Sequence, residues 1–239
     1  KYGIEAADQL LRGDQEGYLQ STGYTGIHPL IHFAYEDKED MFDAHSYNKG
    51  GIVMHMLRNY LGDEAFYAGL KKYLLDNAYT AVESHELRMA FEDICGEDLN
   101  WFFDQWYFSA GHPLLSINYE YDEEKREVVV RIEQQQDPET NPPIFVLPMG
   151  VDVYLGEGEP AHHDIVVNER TQIFRVPAAQ RPQLVNVDSD KMTLGIKRDN
   201  KSENEWIFQY KNGPKYLDRW EALNALQGSL SPAAREVFV

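Results

Sequence analysis

The stretch Ser46-Tyr47-Asn48-Lys49-Gly50-Gly51 leads into the most regular apolar pattern of the sequence. After it, apolar residues recur at the spacing of one helix face: Ile52, Val53, Met56, Leu57 and Tyr60. Gly62 follows the last of them, and glycine commonly ends a helix. The pattern therefore predicts a helix that starts near Ser46 and ends at Gly62, with a tyrosine in its first turn.

The rest of the first 112 residues also indicates helices. A first helix carries Ile4, Ala7, Leu10 and Leu11. Four glycines between residues 13 and 26 then predict a loop-rich interval. Asp63 and Ser84 are predicted to cap two further helices. Asp98 precedes a short helix whose aromatic residues we expect to be buried: Trp101, Phe102, Phe103 and Trp106.

The pattern changes after Gly111-His112-Pro113. Apolar and polar residues alternate there, which predicts a β-hairpin with inward Leu115, Ile117, Val128 and Val130. Further strand-like runs lie at residues 144–149, 151–155, 165–167, 172–176 and 184–187. Because turn residues and not helical patterns separate these runs, we expect an antiparallel β-sandwich over residues 113–197.

The last part of the sequence is helical again. A polar linker, residues 198–204, precedes apolar residues at helical spacing that include Trp206 and Tyr210. Because one or two helices cannot bury their own apolar faces, we expect residues 198–239 to be the start of a C-terminal helical domain. The sequence thus predicts a multidomain α+β chain.

Composition excludes several classes of protein. Hydrophobic residues make up 43% and charged residues 26% of the 239, which is typical of a folded chain. A net charge of -18, without a cluster of Lys and Arg, argues against a nucleic-acid partner. The longest apolar runs are a few residues, whereas a membrane-spanning helix needs about 20. Since Cys95 is the single cysteine, no intrachain disulfide forms, and the redox compartment is left open. We expect a soluble protein, of the cytoplasm or the cell envelope.

Histidines are the first candidates for metal binding. His28 and His32 have the spacing of two ligands on one helix face, but Gly26 and Pro29 indicate a turn, so an ordinary pair of loop histidines is the competing interpretation. The stretch His85-Glu86-Leu87-Arg88-Met89 lacks the second histidine of H-E-x-x-H. We therefore expect no metal ligand in the chain.

Tyr47 is the remaining candidate for chemistry. A tyrosine at a helix start, followed by a lysine and two glycines, can present its hydroxyl to a cleft while the helix anchors it. The residues alone leave a second interpretation open, in which Tyr47 is a partly buried side chain with one hydrogen bond.

Five segments resemble, in order, motifs of the gluzincin aminopeptidases, a family that includes aminopeptidase N and leukotriene hydrolase. They are His28-Pro29-Leu30, the run Met41-Phe42-Asp43-Ala44-His45-Ser46-Tyr47-Asn48-Lys49-Gly50, the helix Val53–Leu61 with Gly62, Phe66-x3-Leu70-x2-Tyr73, and Trp106 with Gly111-His112-Pro113. The resemblance covers about 110 residues. It implies the helical half of a thermolysin-like catalytic domain over residues 1–112, then the β-sandwich and the C-terminal helical domain.

The resemblance also implies a role for Tyr47. In the family, the tyrosine of Tyr-x-Lys-Gly donates a hydrogen bond to the oxyanion formed when zinc-bound water attacks the peptide carbonyl. Tyr47 inherits that catalytic role. Gly50 is expected to permit close helix packing, and Lys49 to face solvent or a nearby carboxylate.

The resemblance places the other catalytic groups upstream of Lys1. These are the zinc ligands, the general-base glutamate and the glutamates that hold the substrate's free amine. The chain is therefore expected to be an inactive fragment of a zinc-dependent aminopeptidase that acts on peptides. Zinc is expected in the full-length parent and not in the fragment, whose partners are the remainder of its own polypeptide upstream and downstream. The alternative is a non-enzymatic binding or scaffold protein that kept the architecture without the metal site.

Overall fold

The structure, a computed structural model, describes residues 3–238 and has an α+β fold that separates into two compact units. The helical unit contains Asp14–His112 and Asp137–Val146, and the strand-rich unit contains the chain up to Gly13, Pro113–Gln136 and the chain from Leu147 onward. Among the described residues, no helix combines the length and the apolar character needed to cross a membrane.

The helical unit is built from short helices and tight turns. Its helices are α1 (Ile4–Thr25, shared with the other unit), α2 (Gly50–Leu61), α3 (Asp63–Asp76), α4 (Ser84–Cys95) and α5 (Asn100–Phe103). A 3-10 turn spans Lys38–Met41, and π-helical turns span His45–Lys49 and Asp104–Phe108. The core consists of fully or almost fully buried apolar side chains, among them Val53, Leu57, Phe91, Phe103 and Trp106.

Helix α1 is longer than the sequence predicts. Gly13, Gly17 and Gly23 lie inside it and do not form a loop. Glycine inside a helix costs about 1 kcal/mol relative to alanine, and packing outweighs that cost here. A Cβ at Gly17 would lie 3.2 Å from Asn48 Nδ2, and the next residue, Tyr18, is completely buried.

Two predicted caps are wrong by one residue. Helix α3 begins at Asp63 itself, after Gly62, and the Asp63 carboxylate accepts from Arg58 Nε at 2.7 Å. Helix α4 begins at Ser84, because Glu83 takes the capping position and its N–H donates to the Glu86 carboxylate at 2.8 Å.

The strand-rich unit contains two sheets. Its strands are β1 (Leu114–Asp122), β2 (Glu127–Gln134), β3 (Leu147–Tyr154), β4 (Ala161–Val167), β5 (Thr171–Pro177), β6 (Leu184–Val187) and β7 (Ile196–Asp199). One sheet has the order β5-β2-β1-β7 and the other the order β4-β3-β6. The predicted inward residues Leu115, Ile117, Val128 and Val130 are all buried, which confirms the hairpin.

The sheets differ from the prediction at two places. The runs predicted at residues 144–149 and 151–155 form one strand, β3, which begins at Leu147. Strand β7 pairs with β1 in parallel, so its sheet is mixed and not purely antiparallel. The sequence Ile196-Lys197-Arg198-Asp199 has no apolar alternation, and the strand exists because the edge of β1 is free to pair with it.

Helices α6 (Glu203–Asn212), α7 (Tyr216–Leu226) and α8 (Pro232–Arg235) complete this unit. Part of their apolar surface is buried within the described residues, whereas Leu230 is 78% exposed. Leu226, Ala234 and Val237 form a small buried core with Trp206 and Leu223 packed against it.

Buried ion pairs connect helix α7 to the residues beside β6. Lys191 Nζ lies 2.6 Å from a Glu221 carboxylate oxygen and 3.3 Å from Asp218 Oδ1. Burial would raise the pKa of Glu221, but the charges of Lys191 and its neighbouring lysines outweigh it and lower that pKa strongly.

Candidate active site

Tyr47 lies in the π-helical turn that leads directly into helix α2. The N–H of Lys49 donates at 2.9 Å to the carbonyl of Ala44, five residues earlier, which defines the π turn. Such turns are rare and are frequent at functional sites. The Tyr47 side chain is 63% exposed, and within residues 3–238 its hydroxyl makes no hydrogen bond. The turn therefore presents a phenol O–H that is available to a ligand.

Asp43 holds the beginning of this turn with both its main chain and its side chain. Its carbonyl accepts from the Tyr47 N–H at 3.1 Å, and its Oδ1 accepts from the Ser46 N–H at 2.8 Å. Burial would raise the pKa of Asp43, but the hydrogen bonds from Ser46 and His28 outweigh it and lower the pKa. The ionised carboxylate is thus the form that suits this position.

His28 contacts the second oxygen of the same carboxylate. Its Nε2 lies 2.8 Å from Asp43 Oδ2, and its Nδ1 lies 2.8 Å from the Pro29 carbonyl oxygen. Both ring nitrogens therefore lie within hydrogen-bonding distance of an oxygen. The loop that carries His28 is fixed in turn, because the Ile31 N–H donates to the Tyr107 carbonyl at 2.9 Å.

His45 contacts the same oxygen of Asp43 and is completely buried. Its Nδ1 is 3.0 Å from Asp43 Oδ2, and its ring stacks on that of His28 with centroids 3.7 Å apart. Burial, and then the nearby His28, lower the pKa of His45 to about 4, so the ring is neutral at pH 7 and donates through Nδ1. Within the described part of the chain, His45 Nε2 has no hydrogen-bond partner.

Lys49 does not face solvent or a carboxylate, contrary to the prediction. The side chain is completely buried, and Nζ donates to the Gly111 carbonyl at 3.2 Å. Burial lowers the pKa of Lys49 to about 8. The Tyr18 ring lies beneath the amine, 5.8 Å from Nζ to the centroid. Lys49 therefore ties the Tyr47 turn to the segment that ends the helical unit.

Asn48 and Gly50 complete the turn. Asn48 Nδ2 donates to Asp14 Oδ1 at 2.9 Å and so connects the turn to helix α1. A Cβ at Gly50 would lie 3.5 Å from Leu30 Cδ1, which is an ordinary contact. The close packing predicted for Gly50 is therefore not required at this position.

Within residues 3–238, one group of side chains has ligand atoms close enough together to hold a metal ion: His28, Asp43 and His45. Their spacing does not fit zinc. Two ligands of a tetrahedral zinc at 2.0–2.1 Å lie about 3.3 Å apart, whereas His28 Nε2 and Asp43 Oδ2 are 2.8 Å apart. That distance is typical of a charge-assisted hydrogen bond. In this arrangement, hydrogen bonds connect the Asp43 carboxylate to both histidines.

The other sequence candidates lie elsewhere. His32 is outside any helix, with its ring centroid 4.4 Å from that of His28, so the pair does not share a helix face. His85 pairs with the neighbouring Glu86 at 3.0 Å, and His162 pairs with Asp152 at 2.6 Å. Sequence reasoning missed the contribution of Asp43 and His45, and the available signal was Asp-x-His directly before the tyrosine.

The first part of the chain is similar to known peptidases. Residues 7–106 match the model of the Peptidase family M1 domain. Tricorn protease-interacting factor F2 of Thermoplasma volcanium is 32% identical over 112 residues, which are 46% of this chain and 14% of that protein. Aminopeptidase N of Lactococcus lactis is 36% identical over 107 residues, 44% of this chain and 12% of that protein. The chain thus spans a small part of the length of these relatives.

A solved structure extends the similarity beyond the matched residues. The crystal structure of Legionella pneumophila aminopeptidase A in complex with aspartic acid superposes with a TM-score of 0.73 at 18% identity. The superposition covers 94% of this chain and 29% of that one, so both units share its fold. The resemblance to the aminopeptidase family predicted from the sequence is thus confirmed over residues 7–106, which contain the Tyr47 turn and match the Peptidase family M1 domain.

Proposed function

We propose that this chain is part of a zinc-dependent aminopeptidase that removes N-terminal residues from peptides, and that Tyr47 stabilises the oxyanion of that reaction. The observation that carries the proposal is the exposed Tyr47 hydroxyl, which lacks a hydrogen-bond partner in the described residues and stands on a π-helical turn within the M1 segment. A structural tyrosine would bury its ring and use its hydroxyl within the fold.

The chemistry of the site supports this role. When a peptide carbonyl is attacked, negative charge develops on its oxygen, and a donor already in place stabilises that charge without reorganisation. The Tyr47 O–H is such a donor. Its backbone is held by Asp43, while Lys49 and Asn48 anchor the same turn to the core and to helix α1.

The zinc ion implied by the family is assigned to residues outside this chain. No H-E-x-x-H motif occurs in the 239 residues, and the clustered His28, Asp43 and His45 do not fit a zinc ion. We therefore propose that the chain alone is inactive. The layout implied by the family is part of the same proposal: residues 1–112 complete a thermolysin-like catalytic domain, 113–197 form a β-sandwich, and 198–239 begin a helical domain.

Replacement of Tyr47 by phenylalanine in the complete protein tests the proposal. The change removes one hydroxyl donor and keeps the ring, so kcat should fall by about 100- to 1,000-fold, or roughly 2.7 to 4 kcal/mol. Because the bond forms mainly in the transition state, KM should change little. Steady-state kinetics on an aminoacyl substrate and thermal melting of the same preparation measure both effects.

Tyr24 provides a matched control. It is 91% exposed and belongs to the helical unit, so Tyr24→Phe also removes an exposed hydroxyl and should leave kcat unchanged. A stable Tyr47→Phe protein with turnover within about threefold of the parent contradicts the role of an oxyanion donor. A complete protein that hydrolyses no peptide but binds other proteins would favour the scaffold alternative.

A further inference from the structure

The backbone, and not packing of the ring, sets the orientation of the Tyr47 side chain. The side chain is 63% exposed. Its ring lies near that of Phe42, which is itself 65% exposed, with the two ring centroids 6.2 Å apart. Few contacts restrain an exposed ring of this kind, so the direction of its Cα–Cβ bond mainly sets its position. The position of its hydroxyl therefore depends on the two hydrogen bonds that Asp43 accepts from Ser46 and Tyr47.

Asp43 is itself held from outside the turn. Its Oδ2 is 2.8 Å from His28 Nε2 and 3.0 Å from His45 Nδ1. His45 belongs to the turn, whereas His28 belongs to a loop that pairs with a different part of the helical unit through the Pro29–Ala110 bridge. His28 is thus the residue that fixes the Asp43 carboxylate relative to a separate element, beside the contacts that Asn48 and Lys49 make from the same turn.

From these contacts we infer that His28 and Asp43 are positioning residues for Tyr47, holding the π-helical turn in the orientation that places its hydroxyl for the reaction. The inference rests on the proposed function of Tyr47. Neither residue is assigned contact with substrate: the His28 and Asp43 side chains are only 19% and 17% exposed, and their polar atoms are occupied by one another and by the backbone.

Two substitutions of His28 separate this role from general stability. Glutamine places an amide nitrogen near the position of Nε2 and keeps the donor to Asp43, whereas asparagine places it near Nδ1 and loses that donor. His28→Asn in the complete protein should lower kcat by about 10- to 100-fold, because misplacement of about 1 Å has costs of this size. His28→Gln should stay within about threefold of the parent, and KM should change little in either variant.

A double-mutant cycle tests whether the effect passes through Tyr47. In the Tyr47→Phe background, His28→Asn should cause no further loss beyond about twofold, because there is no hydroxyl left to position. Asp43→Asn keeps only one side-chain oxygen, so it cannot accept from the histidines and from the Ser46 N–H at the same time. It should lower kcat like His28→Asn, and it provides a second variant in case one of the two fails to fold. His85→Asn removes an exposed histidine that also pairs with a carboxylate, and it should leave kcat unchanged.

Hydrogen exchange gives a readout that does not need activity. His28→Asn should speed exchange of the Ser46 and Tyr47 amides, and His28→Gln should leave them protected. Equal losses in the asparagine and glutamine variants, or losses that multiply with Tyr47→Phe, would overturn the inference. Stoichiometric Zn²⁺ binding that His28→Asn abolishes would overturn it as well, since the cluster would then be a metal site.

The two proposals fail in different ways. If Tyr47→Phe keeps the turnover of the parent, the proposed function is wrong. Faster amide exchange in His28→Asn would then show only that His28 stabilises the turn, and the positioning role would be wrong as well. If Tyr47→Phe loses turnover and His28→Asn does not, the proposed function stands and the positioning role is wrong.

Discussion

Lys49 is a charged residue in an environment that disfavours its charge. Its amine is completely buried and, within the described residues, has one carbonyl acceptor and no carboxylate partner. Burial lowers the pKa of Lys49 from 10.5 to about 8. One pKa unit corresponds to about 1.4 kcal/mol, so the buried charge costs about 3 kcal/mol below pH 8. The chain keeps a costly lysine next to Tyr47.

Lys49→Met should therefore stabilise the chain at pH 7, by about 2 kcal/mol once about 1 kcal/mol for the lost hydrogen bond is subtracted. Between pH 8 and 10.5 the unfolded chain binds more protons at Lys49 than the folded chain, so the parent gains stability as the pH rises. The advantage of the variant should shrink accordingly between pH 7 and pH 10. Urea unfolding at both values measures it, and the exposed Lys71→Met should stay within about 0.5 kcal/mol.

Helices α3 and α4 show how one glycine sets the distance between two elements. A Cβ at Gly69 on α3 would lie 2.4 Å from Cδ1 of Phe91 on α4. Phe91 is completely buried and stacks on Phe66 with centroids 5.3 Å apart, so its ring has no room to move. The approach of the two helices thus requires glycine at this position.

Gly69→Ala should destabilise the chain by about 1 to 3 kcal/mol through overpacking. Gly51→Ala is the matched control, because Gly51 is an exposed helical glycine whose Cβ would contact nothing within 4 Å. It should stabilise the chain by about 1 kcal/mol through helix propensity alone. Denaturant midpoints of the two variants should move in opposite directions, and a shift in the same direction would refute the packing argument.

At the scale of the whole molecule, the chain holds one candidate catalytic residue and no set of residues suited to zinc within residues 3–238. After dialysis it should contain far less than one zinc per chain and should hydrolyse no aminoacyl substrate. Elemental analysis and an assay with added Zn²⁺ test both expectations. A tightly held ion at the His28, Asp43 and His45 cluster would show that the hydrogen-bond interpretation of its 2.8 Å contact is wrong.

The sequence by itself determined the elements and the family match that depend on local periodicity and short motifs. Neighbours in the chain determine the amphipathic helix after Tyr47 and the alternating hairpin with Leu115 and Val128. They also determine the match of residues 7–106 to the M1 domain. Only the tertiary structure decided the rest. Partners distant in sequence keep Gly17 in a helix, pair the non-alternating strand β7 with β1, bury Lys49 against Gly111, and place His28 on Asp43. The physical reason is that packing and hydrogen bonds between distant segments can outweigh local propensities of about 1 kcal/mol, and no local pattern records them.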